Sequence, residues 1–140
     1  MPALQQLLRD FLFLIPLVVL VLSELLKLVT EGIRTGNWPE RLFHPGGMPS
    51  THSAFVTSLL IVVWGKLGPT SPEFAIAFVL ACVMWYDAFG VRHKIDKQTE
   101  ILTRLQHKRR FPEHLGHSFR EVIAGIVFGA AITAFGIWLS

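Results

Sequence analysis

The sequence predicts an all-α integral membrane protein: a bundle of four transmembrane helices with one interfacial amphipathic helix. Three observations lead there. Of the 140 residues 51% are hydrophobic and only 16% charged, and the mean hydropathy of +0.48 is unusual for a soluble domain. The apolar residues gather into four runs separated by loop signals or polar stretches. Between the third and fourth runs lies a basic segment whose apolar residues recur at helical spacing. With no internal repeat, low-complexity tract or second domain, residues 1–140 read as a single membrane-embedded domain. The single cysteine, Cys82, sits in an apolar run, cannot form an intrachain disulfide and implies no oxidising compartment.

The first helix is expected from Leu4 to about Thr30, with Phe11 to Leu22 continuously apolar and Glu24, Lys27 and Glu31 towards its far end. The run resembles a signal-peptide core, but it continues into Ser23, Glu24 and Lys27 without a small-residue cleavage site, so it reads as a retained helix. A span of about 20 residues crosses a bilayer, which brings this far end to a membrane face. A broken segment from Gly32 to Ser50 follows, punctuated by Gly36, Pro39, Pro45, Gly46 and Gly47. Ala54 to Leu67 and Phe74 to Val91 form the second and third runs, with Gly68 and Pro69 between them. Both are short for a span, so they are extended by their polar ends, tilted, or set in a thinned bilayer. From Arg92 to Arg110 the chain turns basic, with Ile95, Ile101, Leu102 and Leu105 on one face of an interfacial helix. The last run, Val122 to Leu139, holds Gly125 and Gly129, a small-xxx-small pattern that serves either packing inside the bundle or a homodimer contact.

Four crossings put the end of helix one, the start of two, the end of three and the start of four on one side of the membrane. All but Arg9 and Lys66 of the 13 lysines and arginines fall on that side, as do all 6 histidines. The positive-inside rule then makes this face cytoplasmic, with both termini outside.

The chemistry gathers on the same face. Gly46 and Gly47 permit a tight turn, Pro49 fixes φ, and Ser50 or Thr51 can cap the run that begins at Ala54. That arrangement builds a helix N-terminus, an attractive place for an anion, with His52 beside it. The plainer alternative is that any capped helix begins this way. Lys27 and Arg34 stand about two turns apart and can clamp an anion if helical geometry persists through Gly32; alternatively Lys27 snorkels or pairs with Glu24 or Glu31, and Arg34 meets lipid headgroups. His117 and Glu121 are four positions apart and share a helical face, so the carboxylate can hold one imidazole nitrogen and leave the other as nucleophile or base. A structural histidine–glutamate pair is the alternative. Asp87 ends the third run, and Arg92 either pairs with it or turns to an anion.

Lys27-x6-Arg34, Pro49-Ser50-Thr51-His52 and His117-x3-Glu121 together resemble the three phosphatase motifs of the type 2 phosphatidic acid phosphatase superfamily, which also includes vanadium-dependent haloperoxidases. The strings GGMPSTHSA, YDAFGVR and LGHSFREVIAG are similar to its divergent membrane branch, and the likeness runs from about Leu22 to Gly129. The resemblance implies a metal-independent phosphoric ester hydrolase without a cofactor. His117 would attack phosphorus and form a phosphohistidine, Glu121 would orient it, and His52 would protonate the leaving oxygen and then activate water. Lys27, Arg34, Ser50, Thr51 and Arg92 would bind the phosphoryl oxygens, supported by Asp87 and Arg110.

The chain departs from that pattern in places. Thr35 stands where a proline is expected, Thr51 where a glycine is, and Glu121 where an aspartate is. The third-motif arginine is expected six residues before His117, where the chain has Phe111; Arg110, Arg109 or Arg92 would have to substitute, and Arg92 fits best because it ends the segment carrying Asp87. A site between apolar helices at a membrane face suits a lipid or prenyl phosphate such as phosphatidic acid, phosphatidylglycerol phosphate or polyprenyl diphosphate. Membrane lipids and a possible second copy are the expected partners, not nucleic acid. The competing reading is a non-catalytic module that binds anionic headgroups through its basic face. A small transporter would need polar residues near mid-membrane, and the apolar runs offer few.

Overall fold

A computed structural model describes residues 13–35, 48–88, 98, 101 and 119–139. Among these there are four α-helices and no strand: α1 (Leu14–Thr35), α2 (Thr51–Leu67), α3 (Pro72–Tyr86) and α4 (Phe119–Leu139). The all-α class is as expected. One helix, α4, is both long and apolar enough to cross a membrane by composition, while α2 and α3 are shorter apolar helices. The expected interfacial helix over 92–110 lies outside the described residues except for Gln98 and Ile101, both helical and exposed.

Local chemistry moves the helix ends away from where hydropathy puts them. Helix α1 does not break at Gly32 but runs on to Thr35. Gly32 is buried, so the packing it permits offsets the cost of about 1 kcal/mol that glycine carries in a helix. The start of α2 is Thr51 rather than Ala54, because Ser50 adopts an extended conformation and its Oγ accepts the Ser53 N–H. Likewise α3 starts at Pro72, with Ser71 Oγ accepting the Phe74 N–H at 3.2 Å, and is α-helical through Tyr86 with Asp87 as C-cap; the expected end of the run, at Val91, lies outside the described residues. Between them Gly68, at φ 79°, returns its N–H to Trp64 O and closes α2 in a left-handed conformation that favours glycine. In α4 the first turn begins at Phe119 and includes Glu121, an acid that complements the positive end of the helix dipole.

Helix α2 is the centre of the bundle and packs against α1, α3 and α4, while α1 also touches α4. The distribution of polarity is inverted relative to a soluble protein. The enclosed side chains are small or hydroxylated, including Val19, Ser23, Ser53, Ser58, Val122 and Thr133. Outside are large apolar residues on all four helices, among them Leu25, Trp64, Ile76, Val83, Val127 and Trp138. Small residues let helix backbones approach closely where the surroundings supply no hydrophobic drive.

Gly125 and Gly129 show that approach at its closest. A Cβ at Gly129 would stand 2.8 Å from Ala54 Cα, and one at Gly125 would meet the Ser50 carbonyl oxygen and lie 3.1 Å from Ser53 Cβ. Both glycines therefore seat α4 on α2 within the chain. Of the two uses expected for this pattern, packing inside the bundle is the one realised, and these glycines are not exposed for a dimer.

Candidate functional site

The site is assembled where α1 ends and α2 and α4 begin. Thr30 Oγ1, in the fifth turn of α1, lies 3.1 Å from the Met48 carbonyl oxygen and 3.0 Å from that of Lys27, so its hydroxyl ties the Lys27 turn to the segment entering α2. Two residues on, the Ser50 N–H donates to the Glu121 carbonyl at 3.0 Å. These contacts draw the Lys27 segment, the Pro49–His52 segment and the Glu121 turn to one end of the bundle. The short Gly68–Ser71 connection lies at the other end.

Ser50 is the hinge of this arrangement. It is fully buried, its N–H is used by α4, and its carbonyl accepts the Ala54 N–H at 3.0 Å. Its Oγ stands 3.0 Å from Ser53 Oγ and 3.5 Å from the Ser53 nitrogen. The cap thus fixes the first turn of α2, whose remaining amides are those that a helix leaves beyond its own ladder. Thr51, only 6% exposed, holds its Oγ1 buried without a hydrogen-bond partner among the described residues. His52, the next residue, is exposed at the helix start.

Of the cationic pair, Lys27 is mostly enclosed, with 13% of its side chain exposed, and its Nζ is 3.8 Å from a Glu24 carboxylate oxygen. The alternative in which Lys27 pairs with Glu24 is therefore realised. Arg34 lies on the same unbroken helix two turns later, which meets the condition that helical geometry persist through Gly32; its side chain is outside the described ones. Glu121 is half-buried in the first turn of α4, and Asp87 is half-buried as the C-cap of α3. His117, Arg92 and Arg110 fall outside the described residues, as does Phe111. Among the described residues no cluster of histidine, cysteine, aspartate and glutamate is arranged to hold a metal.

Several residues at this end went unnoticed in the sequence. Ser53 carries the signal of a serine three residues after a cap, the spacing at which side chain and backbone reciprocate. Thr30 meets a carbonyl 18 positions away, which no local pattern foretells. Trp85, near the end of α3, holds its indole Nε1 buried without a partner among the described residues. Deeper between α2 and α4 is a seam of hydroxyls: Thr57 Oγ1 bonds the Ser53 carbonyl at 2.6 Å, and Thr133 Oγ1 lies 2.7 Å from Ser58 Oγ and 2.6 Å from the Gly129 carbonyl. The interior is thus more polar than the apolar runs suggest.

The chain is similar to an uncharacterized membrane protein, YuiD, of Bacillus subtilis, at 28% identity over 150 residues covering 91% of this chain and 94% of that protein. No solved structure matches it. The family model described as the Divergent PAP2 family matches residues 8–132, a range that contains the Lys27, Ser50 and Glu121 segments brought together at one end of the helices. By that match over most of its length, the chain belongs to the Divergent PAP2 family.

Proposed function

We propose that the protein is a multi-pass membrane phosphatase acting on a lipid or prenyl phosphate through a phosphohistidine at His117. The observation that carries this reading is the Ser50 N–H to Glu121 carbonyl bond of 3.0 Å, because it holds the helix N-terminus that suits a phosphoryl group beside the turn that follows His117. His117 Nε2 or Nδ1 attacks phosphorus while the Glu121 carboxylate holds the other ring nitrogen; the bond to the leaving oxygen breaks, and His52 supplies its proton. His52 then takes a proton from water, which displaces the histidine and releases phosphate. Lys27, Arg34, the Thr51 turn and Arg92 balance charge on the phosphoryl oxygens, and Asp87 and Arg110 support them.

The exterior supports the four-crossing reading. Large apolar side chains face outward on every helix, and exposed aromatics mark both ends: Trp64 and Trp138 away from the site, Tyr86 and Phe119 beside it. Such girdles sit at the two interfaces of a bilayer. Helix α4, 21 residues long, extends about 30 Å, the thickness of the hydrocarbon core. The basic site end then faces the cytoplasm. Phe111 at the expected arginine position is the feature that favours the second reading, a headgroup-binding module without turnover.

The test is phosphate release by purified protein in mixed micelles, across phosphatidic acid, phosphatidylglycerol phosphate and polyprenyl diphosphate, with His117→Ala as comparison. Release by the wild type that is abolished in the variant supports the phosphatase. No release from any substrate, with equal lipid binding by both proteins, replaces it with the headgroup-binding module.

A further inference from the structure

Two buried side-chain donors lack a partner among the described residues, Thr51 Oγ1 and Trp85 Nε1, and both belong to the site end of the bundle. Their placement follows from the α2–α3 hairpin. The chain reverses over Gly68–Ser71, so residues equally distant from the turn stand level: Val62 with Ala77, Ser58 with Ala81, Ala54 with Trp85, and Thr51 with Ala88. The alanines at 77, 81 and 88 and their opposite numbers on α2 are all buried, Ser58 also meeting Thr133 of α4. Trp85 continues the same line, so by register it stands on α3 about one helical turn from the level of Thr51.

An indole N–H can only donate, and a threonine hydroxyl can donate or accept. Buried donors are almost always satisfied, the more so in a protein surrounded by hydrocarbon. Two such groups beside a helix N-terminus call for a ligand that brings several acceptor oxygens and negative charge. We propose that Thr51 Oγ1 and Trp85 Nε1 are two neutral donors to the phosphoryl oxygens of a lipid phosphate, making up for the hydrogen bonds lost with an arginine at Phe111. This rests on the substrate class proposed above, but not on hydrolysis. Trp85 becomes a specificity-determining residue outside the three motifs.

The experiment is calorimetric titration of dioctanoyl phosphatidic acid, with dioctanoylglycerol as the phosphate-free control, into purified protein in detergent micelles. His117→Ala serves as the background so that no turnover intervenes, and phosphate release by the otherwise unaltered chain is measured separately. Thr51→Val, an isostere without the hydroxyl, and Trp85→Phe are each expected to weaken phosphatidic acid about tenfold, while Thr51→Ser binds as the parent does. The unliganded Thr51→Val protein is expected to unfold no earlier than its parent, because an unsatisfied donor has been removed. If Trp85→Phe does not fold, Thr51→Val decides. Unchanged affinity in both variants overturns the proposal, as does equal weakening of dioctanoylglycerol or a parent protein that does not bind phosphatidic acid. Binding that depends on both donors without phosphate release leaves the two-donor site standing and removes the phosphatase reading alone.

Discussion

The main-chain N–H of Ser50 donates to the carbonyl of Glu121 across 3.0 Å, joining the cap of α2 to the first turn of α4 backbone to backbone. No side chain takes part in that link, so replacing the Glu121 carboxylate removes its chemistry and leaves the link in place. Glu121→Gln is expected to keep thermal unfolding in micelles nearly unchanged and to lower phosphate release by about 10³ to 10⁴-fold, the scale on which a misoriented histidine costs a catalytic triad. Release within tenfold of the wild type would remove the orienting role.

Gly129→Ala drives a methyl towards the backbone of Ala54, where its Cβ would be 2.8 Å from Cα and neither helix has a flexible atom to move aside. Destabilisation of about 1 to 3 kcal/mol is expected in reversible unfolding from micelles. Gly65→Ala is the control: nothing lies within 4 Å of its Cβ, so removing a helical glycine there stabilises by about 0.4 to 1 kcal/mol. Equal effects of the two substitutions would contradict the close approach of α4 to α2.

Ser58 and Thr133 meet at 2.7 Å in the buried seam. A double-mutant cycle with Ser58→Ala and Thr133→Val is expected to give a coupling of about 0.6 kcal/mol, the average for hydroxyl pairs between membrane helices. Strict additivity would mean that the two hydroxyls are satisfied by their own helices alone.

On the phosphatase proposed above, the pH dependence of phosphate release follows from opposite demands on two histidines. His117 must be unprotonated to attack, so the rate falls as pH drops and it takes up a proton. His52 must be protonated to release the leaving group, so the rate falls again as pH rises. A bell centred near the ordinary histidine value of about 6.5 is expected. A profile flat from pH 5 to 9 would exclude both roles.

Lys27 lies 3.8 Å from Glu24, whose side chain is 49% exposed, and a pair this long with one partner in the open contributes little to stability. Glu24→Gln is expected to leave phosphatidic acid binding unchanged or slightly stronger, since a competing carboxylate is gone. Lys27→Met should weaken it about tenfold. The reverse order, read by the same titration, would make Lys27 a partner of Glu24 and nothing more.

Much of the architecture was legible because hydropathy and loop residues mark rods and turns directly. Helix ends were less so: Ala54 begins the apolar run, but the Ser50 oxygen decides where the helix starts. The bringing together of the Lys27, Ser50 and Glu121 segments could be anticipated from four antiparallel rods, but the backbone bond between Ser50 and Glu121 could not, since main-chain pairing leaves no trace in side-chain type. Gly125 and Gly129 announced a close contact without saying with what, because a smooth face fits a helix of the same chain or of another equally well. The hydroxyl seam was hidden for a different reason. Serine and threonine in a helix can satisfy themselves on carbonyls one turn back, so they sit among apolar residues without interrupting the pattern.

That habit bears on how the chain is made. Ser23, Thr57 and Thr133 each have a carbonyl within their own helix, at Leu20, Ser53 and Gly129. On the multi-pass reading, α1, α2 and α4 can therefore enter the bilayer one after another during synthesis, each with one of its hydroxyls already bonded to its own backbone, before any neighbour has arrived. Assembly is then a sorting of finished rods by shape, the glycine notches of α4 finding Ser50 and Ala54, and the meeting of Thr133 with Ser58 is a latch that closes last.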